Sequence, residues 1–136
     1  MAGFIGSSEG ILAATIAAAH GPDLTSVPPW LILVLMVWII PLTGQLGMNP
    51  ILAVSLIVPL LPQPSDIGLP PTALVAAITA GWALSGTTSP YTASVLLAAK
   101  LGGVPPAKAG LGWNGVYTVV AGTAMTVRAI ALVYLL

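Results

Sequence analysis

Residues 30–61 are almost wholly apolar, with one interruption: Pro41, Thr43, Gly44, Gln45, Gly47, Asn49 and Pro50 split the stretch into two apolar arms. A helix that crosses a bilayer takes about 20 apolar residues. Each arm is shorter than that and the two together are longer, so a re-entrant helical hairpin is expected over 30–61. Residues 71–101 repeat the design, with an apolar arm from Thr72 to Leu84, then Ser85-Gly86-Thr87-Thr88-Ser89-Pro90, then a second arm from Tyr91. This predicts one transmembrane helix broken at mid-depth. Residues 111–136 contain no proline and are long enough to cross once, with Trp113 and Tyr134 near the ends, where amphipathic aromatic rings favour the headgroup region. Residues 10–20 are apolar and alanine-rich but too short to cross, and predict a partial helix. The pairs Pro28-Pro29, Pro70-Pro71 and Pro105-Pro106 stand where a fixed φ and a missing N–H suit the first turn of the next helix.

Composition sharpens this pattern. Hydrophobic residues make up 57% of the chain and charged residues 4%, against roughly 25% charged in ordinary soluble domains. A water-soluble globule is excluded on that ground, and an all-α membrane protein, a single transmembrane domain over 1–136, is expected. The charged residues are Glu9, Asp23, Asp66, Lys100, Lys108 and Arg128, with His20 the one histidine. They form no basic patch for nucleic acid. With no cysteine and one histidine among scattered carboxylates, a protein-built metal centre is not expected. Met1 to Gly10 lacks the basic and apolar regions of a secretory signal, so no cleaved segment is expected. Lys100 and Lys108 share one connector, and cytoplasmic loops are enriched in Lys and Arg, so that connector is assigned to the cytoplasmic face of an inner (plasma) membrane. Asp23 and Asp66 then fall outside, as the two ends of a hairpin over 30–61 require.

The chemistry lies in the two breaks. In hydrocarbon an unsatisfied backbone N–H or C=O costs several kcal/mol, so non-helical backbone persists at depth only inside protein or beside a wet cavity. Transporters use such breaks to aim half-helix N-termini at anions and unwound carbonyls at Na+ or protons. Ser85, Thr87, Thr88 and Ser89 offer four hydroxyls, Gly86 permits close backbone approach and Pro90 starts the next helix. In the hairpin, Thr43, Gln45 and Asn49 carry the polar side chains and Gly44 and Gly47 permit the reversal. The bland alternative is a pair of proline kinks satisfied by neighbouring helices; two successive breaks, each with clustered hydroxyl or amide groups, favour a binding site.

The same order of elements resembles the C-terminal half of the ion transporter superfamily, especially its divalent anion:sodium symporters, over nearly the whole chain. In Gly81-Trp82-Ala83-Leu84-Ser85-Gly86-Thr87-Thr88-Ser89-Pro90-Tyr91, Thr88 and Pro90 fall on the threonine and second proline of that family's broken-helix motif, with Ser89 replacing the intervening proline. Lys108-Ala109-Gly110-Leu111 leading into Asn114 is similar to its basic-apolar-Gly connector and the asparagine of its final helix. The family's Ser-Asn-Thr hairpin tip falls on Asn49-Pro50-Ile51, which keeps none of the three residue types. Gly47-Met48-Asn49-Pro50 instead resembles the large membrane subunit of tripartite dicarboxylate transporters, so the branch stays open.

The resemblance implies secondary active transport of a small, carboxylate-type anion coupled to Na+ or H+, with no other cofactor and no enzymatic activity. Solute and coupling ion would sit among Thr43, Gly44, Gln45, Asn49, Ser85, Gly86, Thr87, Thr88, Ser89 and Pro90. It also implies that a first inverted repeat or a partner subunit completes the transporter, with homodimer assembly left open. The alternative from another class is a non-transporting scaffold or accessory subunit whose broken helices only pack against a partner chain. Three further residues carry ordinary expectations. Arg128, about 12 Å of helix from the C-terminus, is expected to snorkel to the outer interface, His20 to be solvated in an outer loop, and Glu9 to cap the partial helix. An intramembrane hydrolase is not expected, because no Gly-x-Ser-x-Gly elbow is present and no histidine lies within a span to activate Ser85 or Ser89.

Overall fold

In the computed structural model of the chain, the described residues are Ile11, Thr15 and 26–135. They are helical, with no strand among them. Of the partial helix expected over 10–20 only Ile11 and Thr15 are described, both helical, the Thr15 hydroxyl donating to the Ile11 carbonyl at 2.8 Å; Glu9, His20 and Asp23 lie outside the described residues.

Five α-helices follow: α1 Pro29–Gln45, α2 Pro50–Ile57, α3 Pro71–Thr88, α4 Ala93–Gly102 and α5 Trp113–Tyr134. Short 3-10 turns at Val58–Leu60 and Pro64–Ile67 link α2 to α3, and a π-helical turn, Lys108–Gly112, runs directly into α5. Taken together, Lys108–Tyr134 is 27 residues with a most apolar 18-residue window of mean hydropathy 1.7, long and apolar enough to cross a membrane, while Pro29–Gln45 is apolar but shorter.

Proline chemistry places most helix starts. A proline opens α1, α2 and α3, where a missing N–H costs nothing. The residue before each is pushed to extended ψ: 137° at Pro28, 135° at Asn49 and 131° at Pro70. Two helices end in matching left-handed caps. After α1, Gly47 (φ 90°) donates to the Gly44 carbonyl and Met48 to Thr43; after α4, Gly103 (φ 62°) donates to Lys100 and Val104 to Ala99. These paired 5→2 and 6→1 bonds satisfy carbonyls a helix end otherwise leaves without donors.

The core forms where the bulky face of α1 meets the small face of α3. Ile32, Leu33, Met36 and Val37 are buried against Ala73, Ala77, Ala80 and Leu84, with Ala129 of α5 closing the third side. Alanine and glycine on α3 let the two axes come close. A Cβ on Gly81 would stand 2.5 Å from the Met36 carbonyl oxygen and 3.1 Å from that of Val37. Pro41 lies inside α1 and has no N–H, so Val37 is the carbonyl that loses its usual i+4 donor, and it is one of the two that Gly81 faces. On the other flank Trp38 lies over Gly122 of α5 and its indole N–H donates to the Thr126 hydroxyl at 3.2 Å.

Candidate functional site

The turn after α1 and the interruption between α3 and α4 share one cleft of about 530 Å³. Gly47, Met48, Asn49, Pro50 and Ile51 form one lip; Ser89, Tyr91, Thr92 and Ala93 form the other, with Trp82 and Gly86 of α3 as the floor. The packing of α1 on α3 brings the two segments together, since it fixes Gly44, just before the first turn, against Ser85 and Ser89 of the second.

The interruption sits later than the hydroxyl cluster predicts. Ser85, Gly86, Thr87 and Thr88 are still helical, and α3 stops at Ser89 (φ −68°, ψ 126°) because Pro90 disfavours a helical conformation in the residue before it. Thr87 and Thr88 stay in the helix by donating back to the Leu84 carbonyl at 3.0 and 2.6 Å.

Three of the last four carbonyls of α3 find donors within the chain. That of Ser85 accepts from Ser89 N–H at 3.0 Å, that of Gly86 from the Thr92 and Ser94 hydroxyls at 3.1 and 2.7 Å, and that of Thr87 from Asn114 Nδ2 at 3.1 Å. Asn114 Nδ2 also donates to Ala109 at 3.1 Å, inside the π-turn, and Gly110 passes so close to the Thr88 carbonyl that a Cβ there would collide with it. A π-turn leaves one residue out of the regular ladder, and here Asn114 serves a carbonyl in it.

Ser89 is the junction between the two lips. Its buried hydroxyl donates to the Gly44 carbonyl at 2.6 Å and accepts from Tyr91 N–H at 3.3 Å. Beside it the Ser85 hydroxyl is fully buried and has no hydrogen-bond partner.

Donors and acceptors are therefore unevenly left. The Gly86 and Ser89 carbonyls at the cleft accept from Thr92, while no side chain caps α4 at Thr92. At α2, Asn49 Oδ1 accepts from Ile51 N–H at 2.8 Å and Pro50 has no N–H to offer. Both helices begin on the cleft, and each N-terminus carries the positive end of its dipole. Among the described residues no Lys, Arg, Asp or Glu lines the cleft, and no group of three or more metal-ligating side chains occurs.

Of the residues singled out from the sequence, Asn49, Gly86 and Ser89 line the cleft. Gly44, Ser85 and Thr88 are buried in the wall behind it. Thr43, whose hydroxyl donates to the Ile40 carbonyl at 2.9 Å, and Gln45, Thr87 and Pro90 do not line it. Trp82, Tyr91, Thr92, Ser94 and Asn114 were not among the expected site residues. Thr92 was findable as an N-cap residue type two residues after Pro90; Trp82 and Tyr91 carried no signal beyond being aromatic beside a break. No protein-family model, curated protein or solved structure matches the chain. Fold and site thus define an all-α protein with a cleft of mixed polar and apolar lining between two interrupted helical segments.

Proposed function

We propose that the chain is one half of a membrane-embedded secondary transporter for a small anionic solute, held in the cleft between the turn after α1 and the break after α3. On this reading α1 and α2 enter and leave by the same outer face as a re-entrant hairpin, α3 and α4 make one broken crossing and α5 makes a complete one. The Lys100–Lys108 connector lies in the cytoplasm of an inner-membrane protein. A missing repeat or partner subunit supplies the other half, rigid-body motion against it alternates access, and Na+ or H+ provides coupling.

The observation that carries the reading is the opening of two helix N-termini, at Pro50 and Ala93, on one cleft, where the α4 N-terminus has no side-chain cap and the Gly86 carbonyl already has donors. Such a cleft favours negative charge. Membrane residence is supported by the 4% charged composition and by Lys108–Tyr134, only 17% of whose most apolar window is buried within the chain. Asn49 and Ser89 orient the two lips and the α4 N-terminus receives the anion.

The test is thermal unfolding of the detergent-purified chain with and without carboxylates, against their neutral amides at equal ionic strength. A ligand at 100 times its Kd adds about 2.7 kcal/mol of stability, and the carboxylate alone is expected to raise the midpoint. Asn49→Ala and Ser89→Ala are expected to remove that shift. A scaffold subunit predicts no solute-dependent shift, and extraction of the chain from membranes by alkaline carbonate would rule out the membrane assignment.

A further inference from the structure

We infer that a groove between α3 and α5 holds one anionic phospholipid, with its phosphate on Arg128 and an acyl chain along the small residues of α3. The inference rests on the membrane reading above and concerns a groove that shares no lining residue with the cleft.

The groove has a volume of about 350 Å³ and is lined by Ala76, Thr79, Ala80 and Ala83 of α3 and by Met125 and Arg128 of α5. Spacings of three and four put the α3 residues on one face of that helix, and their short side chains leave the space open. The two helices run antiparallel, with Asn114 bonded to the Thr87 carbonyl and Gly122 close to Leu84. Arg128 follows Gly122 by six residues, about 9 Å of helix. That sets it level with Ala76 and Thr79, at one end of the groove, while Ala83 lies toward the other. Tyr134 ends α5 about another 9 Å beyond Arg128. The midplane of the hydrocarbon lies roughly 15 Å from its boundary, so the guanidinium, on its long stem, reaches headgroup level by snorkelling.

Two donors at this end of the groove are unused. Arg128 is the one charged residue of α5, and among the described residues neither its guanidinium nor the Thr79 hydroxyl has a partner. The hydroxyls of Thr87, Thr88, Thr118, Thr123 and Thr126 all donate back to a carbonyl of their own helix, and that of Thr79 does not. An unpaired charge against apolar surface in a membrane is costly, so this one calls for an anion. A phosphate diester accepts the parallel N–H groups of a guanidinium and has oxygens to spare for Thr79. The apolar remainder of the groove leads away from the cation and from the helix end, which is the order of head and tail in a lipid. No carboxylate lines the groove to hold a cationic headgroup, which favours a lipid with net negative charge over a zwitterion.

The test reconstitutes the full chain in phosphatidylcholine vesicles and measures, by electron spin resonance, how strongly spin-labelled phosphatidylglycerol and phosphatidylcholine are held at the protein. Phosphatidylglycerol is expected to be held about fivefold more strongly, the preference that one arginine near the membrane surface supplies. Arg128→Gln is expected to abolish most of that preference, and so is Ala83→Leu, which fills the groove with a good helix former at an exposed position. The double variant Lys100→Gln with Lys108→Gln is expected to retain most of it. Loss in the lysine variant with retention in Arg128→Gln would overturn the assignment. Displacement of the labelled lipid by glycerol 3-phosphate would overturn it in favour of a free phosphate ester. Equal retention of the two lipids would leave the membrane reading standing and assign the groove to a carboxylate-bearing helix of a partner. No motionally restricted lipid of either kind would remove the membrane reading as well.

Discussion

Gly44→Ala tests the contact that brings the two lips together. The new methyl group would overlap the Ser85 hydroxyl, while lying 3.4 Å from Ser89 Cβ and 3.5 Å from Ser85 Cβ, both ordinary contacts. Ser85 is fully buried, so its hydroxyl has no solvent to turn into. Overpacking of this kind costs about 1–3 kcal/mol, offset by about 0.5–1 kcal/mol of helix propensity gained when alanine replaces glycine. Ser85→Ala alone deletes a buried hydroxyl without a partner and is expected to stabilise by roughly 1 kcal/mol. In that background the overlap is gone, so Gly44→Ala becomes neutral or stabilising. The double-mutant cycle should therefore show a coupling of roughly 1–3 kcal/mol, with the second substitution rescuing the first. At this chain length 1 kcal/mol moves the thermal midpoint by about 3 °C. Circular dichroism melts of the four proteins in one detergent resolve such a shift. Additivity within about 0.5 kcal/mol would refute the placement of Ser85 against Gly44, and with it the assembly of the cleft.

Three further outcomes follow from the same geometry. Gly110→Ala drives a methyl group into the backbone carbonyl of Thr88 and should destabilise by roughly 3 kcal/mol or more, whereas Gly112→Ala, whose Cβ meets only Lys108 side-chain carbons at 3.4 and 3.9 Å, should stay within about 1 kcal/mol of the parent; equal midpoints for the two would count against the π-turn packing. Asn114→Ala withdraws the donor shared by the Thr87 and Ala109 carbonyls and should cost about 1–3 kcal/mol, read as faster amide exchange at the end of α3 and the start of α5. Gly47→Ala forces a side chain onto a backbone at φ 90° and should cost about 1–2 kcal/mol in the same melts, with Gly68→Ala at φ 65° as the comparison turn away from the cleft.

Much of the fold was legible because the strongest local rules act at the element boundaries. Prolines mark the starts of α1, α2 and α3 within a residue, and Gly47 and Gly103 mark two ends, since each rule concerns one residue's own φ, ψ or missing N–H. The Ser-Gly-Thr-Thr-Ser run was less legible. Hydroxyls in a helix can bond back to it as readily as leave it, and the run stays helical up to Ser89, the residue that precedes proline.

Periodicity carried little here because α1 is apolar on nearly every side, so the face that packs is not written into its pattern. Shape decides it, through the alanines and Gly81 of α3, which admit the bulky side chains and carbonyls of α1. The site divides along the same line. That two polar interruptions exist, and that one holds hydroxyls and the other an amide, follows from composition and proline placement alone. That they meet, that Ser89 ties them through the Gly44 carbonyl while Ser85 remains unpartnered, that Thr87 and Thr88 turn back to Leu84, and that Trp82 and Tyr91 face the space between, are tertiary outcomes. Each depends on the approach of α1 to α3, a distance set by side chains some forty residues apart, and no local pattern encodes it.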